Sequence, residues 1–71
     1  ASLVGQIAVV TLGTARRGEP AQAKLRDAVG QTHYVMVEPK GDEVIEAGEE
    51  AVLVRLNGST YIAVRADMPD A

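Results

Sequence analysis

His33 is the single histidine of this 71-residue chain and its one side chain suited to proton transfer near neutral pH. A histidine acts as a general base when a nucleophile or an orienting carboxylate lies beside it. The sequence places no serine, cysteine or aspartate next to His33, which falls inside a run with strand-like alternation. The simpler interpretation is a strand histidine that is bonded to the backbone or faces solvent. We therefore predict no catalytic residue and no enzymatic activity.

Carboxylates between residues 38 and 50 form the second chemical candidate, a cation site. They are Glu38, Asp42, Glu43, Glu46, Glu49 and Glu50. Their spacing lacks the alternating oxygen ligands of a dedicated calcium loop. A solvated acidic loop is the default, with weak cation binding or an electrostatic partner surface as alternatives. The chain has no cysteine, which excludes disulfides, thiolate zinc sites and thiol nucleophiles. We predict no metal site and no cofactor.

Four cations, together with Tyr34, are the candidate partner contacts. Arg16, Arg17, Lys24 and Arg26 form a basic patch if the loop at residues 13–20 folds back on the following strand. Ordinary solvated surface residues are the alternative for each. Residues 1–37 carry a net charge of +2 and residues 38–71 one of −5, which gives −3 for the chain. An acidic chain with two tyrosines as its only aromatic residues is a poor candidate for nucleic acid. Beside a membrane, the same cations would face anionic headgroups.

The elements that must position these residues are five short runs of alternating apolar residues. They cover residues 6–12, 21–27, 31–38, 51–57 and 60–66. This spacing predicts a small antiparallel β-barrel or sandwich, one all-β domain at residues 4–66 with a flexible tail at 67–71. The apolar content of 46% contains no Phe or Trp, so the core must be small and aliphatic.

The connections between the runs have their own signals. Residues 13–20 lack periodicity and read as a long exposed loop, while residues 42–47 have room for one helical turn with Val44 and Ile45 plugging the barrel end. We expect Pro39 to end the third strand. Gly30 supplies a tight turn, and Asn57-Gly58 predicts a type I′ hairpin rather than a nucleophile motif.

The order of these signals resembles one known family. Gly5, Gly13-Thr14-Ala15, residues 20–24, Thr32-His33-Tyr34-Val35 and the Gly58 hairpin are similar to the soluble domain of the NfeD-like family, in its YqiJ-like branch. The resemblance covers residues 3–66. It implies a five-stranded OB-like barrel at the C-terminus of a bacterial integral membrane protein. The short connection at 40–50 leaves no room for the long helix usual in OB folds. Ala1 in place of methionine agrees with a module excised from a longer chain.

The resemblance also implies a role and a place. Family members work with a flotillin-like (SPFH) membrane scaffold protein in membrane organisation, and no catalytic residues are established for the short domain. We expect a non-catalytic protein-interaction module, monomeric when isolated, held at the bacterial inner membrane through the parent protein and facing the cytoplasm. The alternative is a free-standing OB-fold domain that binds single-stranded nucleic acid.

Overall fold

The computed structural model describes residues 3–66, and the predicted tail at 67–71 lies outside them. Within this range the chain contains strands and no helix. The strands are β1 (Ile7–Leu12), β2 (Thr14–Ala15), β3 (Ala21–Arg26), β4 (Thr32–Pro39), β5 (Ile45–Glu46), β6 (Glu50–Asn57) and β7 (Thr60–Arg65). The five long strands correspond to the five runs seen in the sequence.

The five long strands form a closed barrel in the order β1-β3-β4-β7-β6. Four of its strand pairs are antiparallel, as predicted, and one pair, β4 with β7, runs parallel. The parallel pair arises because the chain passes through β5 and β6 before β7 returns beside β4. This strand order is that of an OB fold, here without the long helix, as predicted.

The core of the barrel is aliphatic and small. Along β3, Ala21, Ala23 and Leu25 point inward while the residues between them are exposed. The largest fully buried side chains are Ile45, Leu53, Val10, Val37 and Pro39. No charged side chain is buried among the described residues. Along β3 alternation therefore identifies the inward face correctly, whereas in β1 it groups Leu12 with the buried Ala8 and Val10 although Leu12 is exposed.

Residues 13–20 are more ordered than an exposed loop. Thr14 and Ala15 form β2, which pairs with β5, and Ala15 is completely buried. The backbones of Arg16 and Glu19 then exchange two hydrogen bonds, with N···O distances of 2.9 and 2.8 Å. Residues 16–20 are all exposed, as predicted, but the prediction of a loop was wrong for Thr14 and Ala15, because two residues are too few to show the alternation of a strand.

Residues 42–47 form no helical turn, contrary to the prediction. Ile45 and Glu46 instead adopt the extended conformation of β5 and pair with β2, while the Glu46 amide donates to Oε1 of Glu49 at 2.8 Å. Ile45 is fully buried and closes the end of the barrel, as expected, while Val44 is half-buried.

β4 ends at Pro39, as predicted, and one further hydrogen bond runs from the Lys40 amide to the Ala63 carbonyl at 2.9 Å. At the β6–β7 hairpin, Asn57 pairs with Thr60, so the turn residues are Gly58 and Ser59. The type I′ prediction at Asn57-Gly58 was therefore wrong by one residue. Gly30, with φ of 90°, takes the predicted tight turn.

Candidate functional site

The four cations do not form one patch. The hairpin with Arg16 and Arg17 precedes Ala21, the first residue of β3. Arg26 is the last residue of that strand and lies about 17 Å from Ala21 at the usual rise per residue. Arg17 lies 3.1 Å from an oxygen of Asp42, and both side chains are exposed. The roles of these residues as partner contacts stay predictions.

Lys24 and Arg26 instead line a shallow groove of about 390 Å³ on the outer surface of β1 and β3. Its lining residues are Ile7, Val9, Lys24, Leu25, Arg26, Thr32 and Glu50. Strand register explains the grouping, because Val9 lies between Lys24 on one neighbouring strand and Glu50 on the other. The groove has an apolar floor with two cations on the β3 side and a carboxylate on the β6 side.

Tyr34 belongs to a second exposed surface, which we call the Tyr34 face and define as Leu12, Tyr34 and Met36. Their exposed fractions are 72%, 64% and 40%. Gln22 of β3 pairs with Leu12 on one side and Met36 on the other, so the Tyr34 face has one residue on β1 and two on β4, with Gln22 between Leu12 and Met36. Strand alternation places Tyr34 and Met36 together. Leu12 was missed, because a β-bulge after Val10 turns it outward and leaves no sequence signal.

His33 has a partner that sequence proximity did not reveal. Its Nε2 lies 2.7 Å from Oδ2 of Asp27, six residues earlier, across the β3–β4 turn. The other oxygen, Oδ1, accepts hydrogen bonds from the amides of Val29 and Gln31 at 3.0 and 2.9 Å. The sequence feature that could have predicted this contact is an aspartate at the end of a strand, just before a turn that contains glycine. At such a position the carboxylate often accepts hydrogen bonds from the backbone amides of the turn. The pair fixes the turn.

These hydrogen bonds act on the charge of Asp27. The hydrogen bond with His33, followed by those from Gln31 and Val29, holds the pKa of the Asp27 carboxyl below its ordinary value. Partial burial opposes this lowering but does not cancel it. Each donor stabilises the ionised carboxylate, so protonation weakens the turn.

We expect Asp27 to contribute to stability above its unfolded-state pKa of about 3.9. Because the folded-state pKa is lowered, this contribution is lost as pH falls through it. Asp27→Asn should therefore destabilise the barrel at pH 7 and progressively less toward pH 2.5. Urea unfolding followed by circular dichroism over this range measures the difference. Asp42→Asn, in an exposed pair with Arg17, is the control and should show little pH dependence. A difference between wild type and Asp27→Asn that does not change with pH would contradict the prediction.

Three of the six acidic residues at 38–50, namely Glu38, Asp42 and Glu49, make side-chain contacts. Glu38 accepts a hydrogen bond from the Gly18 amide at 2.9 Å. Glu49 accepts one from the Glu46 amide at 2.8 Å and lies 3.4 Å from a guanidinium nitrogen of Arg65. Within residues 3–66, no group of three or more side chains of the metal-ligating types comes together. The same residues contain no helix with the length and apolarity needed to cross a bilayer.

Known proteins share this architecture. Residues 2–64 match the family described as "Inner membrane protein YqiJ, OB-fold". Among solved structures, the C-terminal domain of stomatin operon partner protein 1510-C from Pyrococcus horikoshii is similar, with a TM-score of 0.72 and 24% sequence identity. The alignment covers 93% of this chain and 91% of that domain, and at this identity it shows the shared fold. No curated protein matches the chain.

Proposed function

The chain belongs to the family of OB-fold domains of the inner membrane protein YqiJ, and from this we propose that it is a non-catalytic protein-interaction module of an inner membrane protein. Its proposed partner is a flotillin-like or stomatin-like SPFH scaffold protein. The name of the structurally similar archaeal protein, a stomatin operon partner, supports this choice. We further propose that the parent protein holds the domain at the cytoplasmic side of the inner membrane and that the isolated barrel is a monomer.

The observation that carries this proposal is the exposed Tyr34 face on a closed barrel. The closed barrel gives each of its five strands a neighbour on both sides, although residues 32–35 of β4 extend beyond the pairing with β7. Association through side chains on the outer surface needs no new strand pairing. Leu12, Tyr34 and Met36 expose apolar area there, and tyrosine and methionine are enriched in protein interfaces.

The test is a titration of the ¹⁵N-labelled chain with the purified SPFH domain of a flotillin-like protein from the same cell. We expect chemical-shift changes at Leu12, Tyr34 and Met36. Tyr34→Ala combined with Met36→Ser should weaken binding about tenfold or more, because buried tyrosines are frequent interface hot spots. Leu56→Ser is a matched control, since Leu56 is a similarly exposed apolar residue on β6. An equal effect of both variants, or the absence of binding, would contradict the proposal.

One observation favours single-stranded nucleic acid as a second candidate. Tyr34 is exposed on β4 directly beside Lys24 of β3, which pairs an aromatic ring with a cation on an OB-fold surface. Against this, Tyr61 packs against the core, and the chain carries a net charge of −3. Titration with a single-stranded oligonucleotide at low salt distinguishes the candidates, because a nucleic-acid surface would respond at Tyr34 and Lys24 and lose affinity steeply with salt.

A further inference from the structure

The β3–β4 hairpin ends in an uncharged apolar tip with cations behind it. Ala28, Val29 and Gly30 are all exposed, and the Val29 side chain has an exposed fraction of 82%, the highest of the large apolar residues described. Arg26 and Lys24 follow on the outward face of β3. A valine at such a tip receives no packing from its own barrel, so folding does not explain it.

The cations behind this tip are grouped with an exposed isoleucine. Ile7, Lys24 and Arg26 line the same groove, and a guanidinium nitrogen of Arg26 lies 3.5 Å from the Gly30 carbonyl oxygen. Arg26 therefore lies against the turn that carries Val29. We call Ile7, Lys24, Arg26 and Val29 the Val29 corner. Within residues 3–66 neither Lys24 nor Arg26 has an ion pair.

Two carboxylates near the Val29 corner, Asp27 and Glu50, keep their negative charge but form no ion pair with its cations. Both oxygens of Asp27 are engaged within the turn, one by two amides and the other by His33. Glu50 lines the opposite side of the groove, with Val9 of β1 between it and Lys24. Two strand spacings separate Glu50 from Lys24, which is about 10 Å. The corner thus presents two exposed cations that have no ion pair within residues 3–66, whereas the Asp27 side chain has an exposed fraction of only 19%.

We propose that the Val29 corner contacts a membrane surface containing anionic phospholipid. An apolar tip enters the boundary between headgroups and acyl chains, while lysine and arginine behind it reach the phosphates. Val29 matches the first requirement, and Lys24 and Arg26 match the second. A single-stranded nucleic acid would need an aromatic side chain in the groove on which its bases could stack. Tyr34 does not line the groove, because it lies on β4, on the other side of Lys24 from Val9. The Val29 corner and the Tyr34 face share no residue, so this contact does not depend on the proposed protein partner.

The test measures partition of the ¹⁵N-labelled chain onto vesicles of phosphatidylcholine with equal phosphatidylglycerol, against phosphatidylcholine alone. We expect amide signals of residues 24–31 to broaden only with phosphatidylglycerol. Lys24→Ala combined with Arg26→Ala should lower the partition coefficient roughly 25-fold, about fivefold for each cation. Val29→Ser should lower it several-fold, whereas soluble glycerol phosphate should not compete, because it offers no apolar layer for Val29.

The matched control is Arg16→Ala combined with Arg55→Ala, which removes two exposed cations elsewhere and changes the net charge equally. This variant should partition within about twofold of wild type, because charges beyond a Debye length of the surface contribute little. Equal losses in the two double variants would overturn the proposal in favour of diffuse electrostatics. No partition of the wild type, or broadening of the same residues by an oligonucleotide but not by vesicles, would also overturn it.

Discussion

Ile45→Ala is expected to lower the free energy of unfolding by about 2–5 kcal/mol, the usual cost of truncating a buried isoleucine. Ile45 is completely buried and, with Leu53, is one of the two largest fully buried side chains described. It belongs to a two-residue strand, so neighbouring backbone has little freedom to collapse into the cavity without breaking the β2–β5 pair. A domain of this size has a total stability of only about 4–10 kcal/mol. The variant should therefore be largely unfolded at moderate urea concentrations that leave wild type folded.

The measurement is urea unfolding followed by far-ultraviolet circular dichroism, since the chain has no tryptophan. Ile7→Ala is the matched control, because Ile7 has an exposed fraction of 52% and loses the same atoms. It should cost less than about 1 kcal/mol. Equal destabilisation by the two variants would show that Ile45 does not close the barrel end, and that residues 42–47 are not held by β2.

The long strands were predictable because their alternation repeats over six to eight residues. Along β3 every inward residue is apolar and every outward one polar, which leaves a single consistent register. The β2–β5 pair was not predictable, since two residues carry no period and their partners lie about thirty positions apart in the chain. The parallel β4–β7 pairing is likewise a property of barrel closure, and no local pattern encodes it.

For the candidate surfaces, too, some features could be predicted from the local sequence and others depend on strand pairing. Tyr34 and Lys24 were identified from residue type, and alternation puts both on the outer face of the barrel. Their separation into a groove and an apolar face depends on which strands are neighbours. Asp27 lies six residues before His33 in the sequence. Its Oδ2 lies 2.7 Å from Nε2 of His33 because the β3–β4 turn brings the ends of the two strands together. Residue type therefore suggests the chemistry, while strand pairing decides which groups act together.

Gly58→Val is expected to destabilise the β6–β7 hairpin by about 1–3 kcal/mol through backbone strain alone. Gly58 has φ of 66°, a conformation that β-branched residues rarely adopt. A Cβ atom built at this position meets no atom within 4 Å, so steric contact contributes nothing to the cost. β6 and β7 are neighbours in the closed barrel, and a strained turn between them weakens the closure.

The variant Asn57→Val distinguishes the observed turn at Gly58 and Ser59 from the type I′ turn predicted at Asn57 and Gly58. A type I′ turn over residues 57 and 58 needs positive φ at both, whereas Asn57 is the last residue of β6 and no non-glycine residue described has positive φ. A first turn residue with positive φ and a second without it is the pattern of a type II′ turn at Gly58 and Ser59. Valine should be tolerated at position 57, where the backbone is extended, with a change of less than about 0.5 kcal/mol. If the Asn57 variant instead loses as much stability as the Gly58 variant in thermal unfolding, the hairpin has the other register.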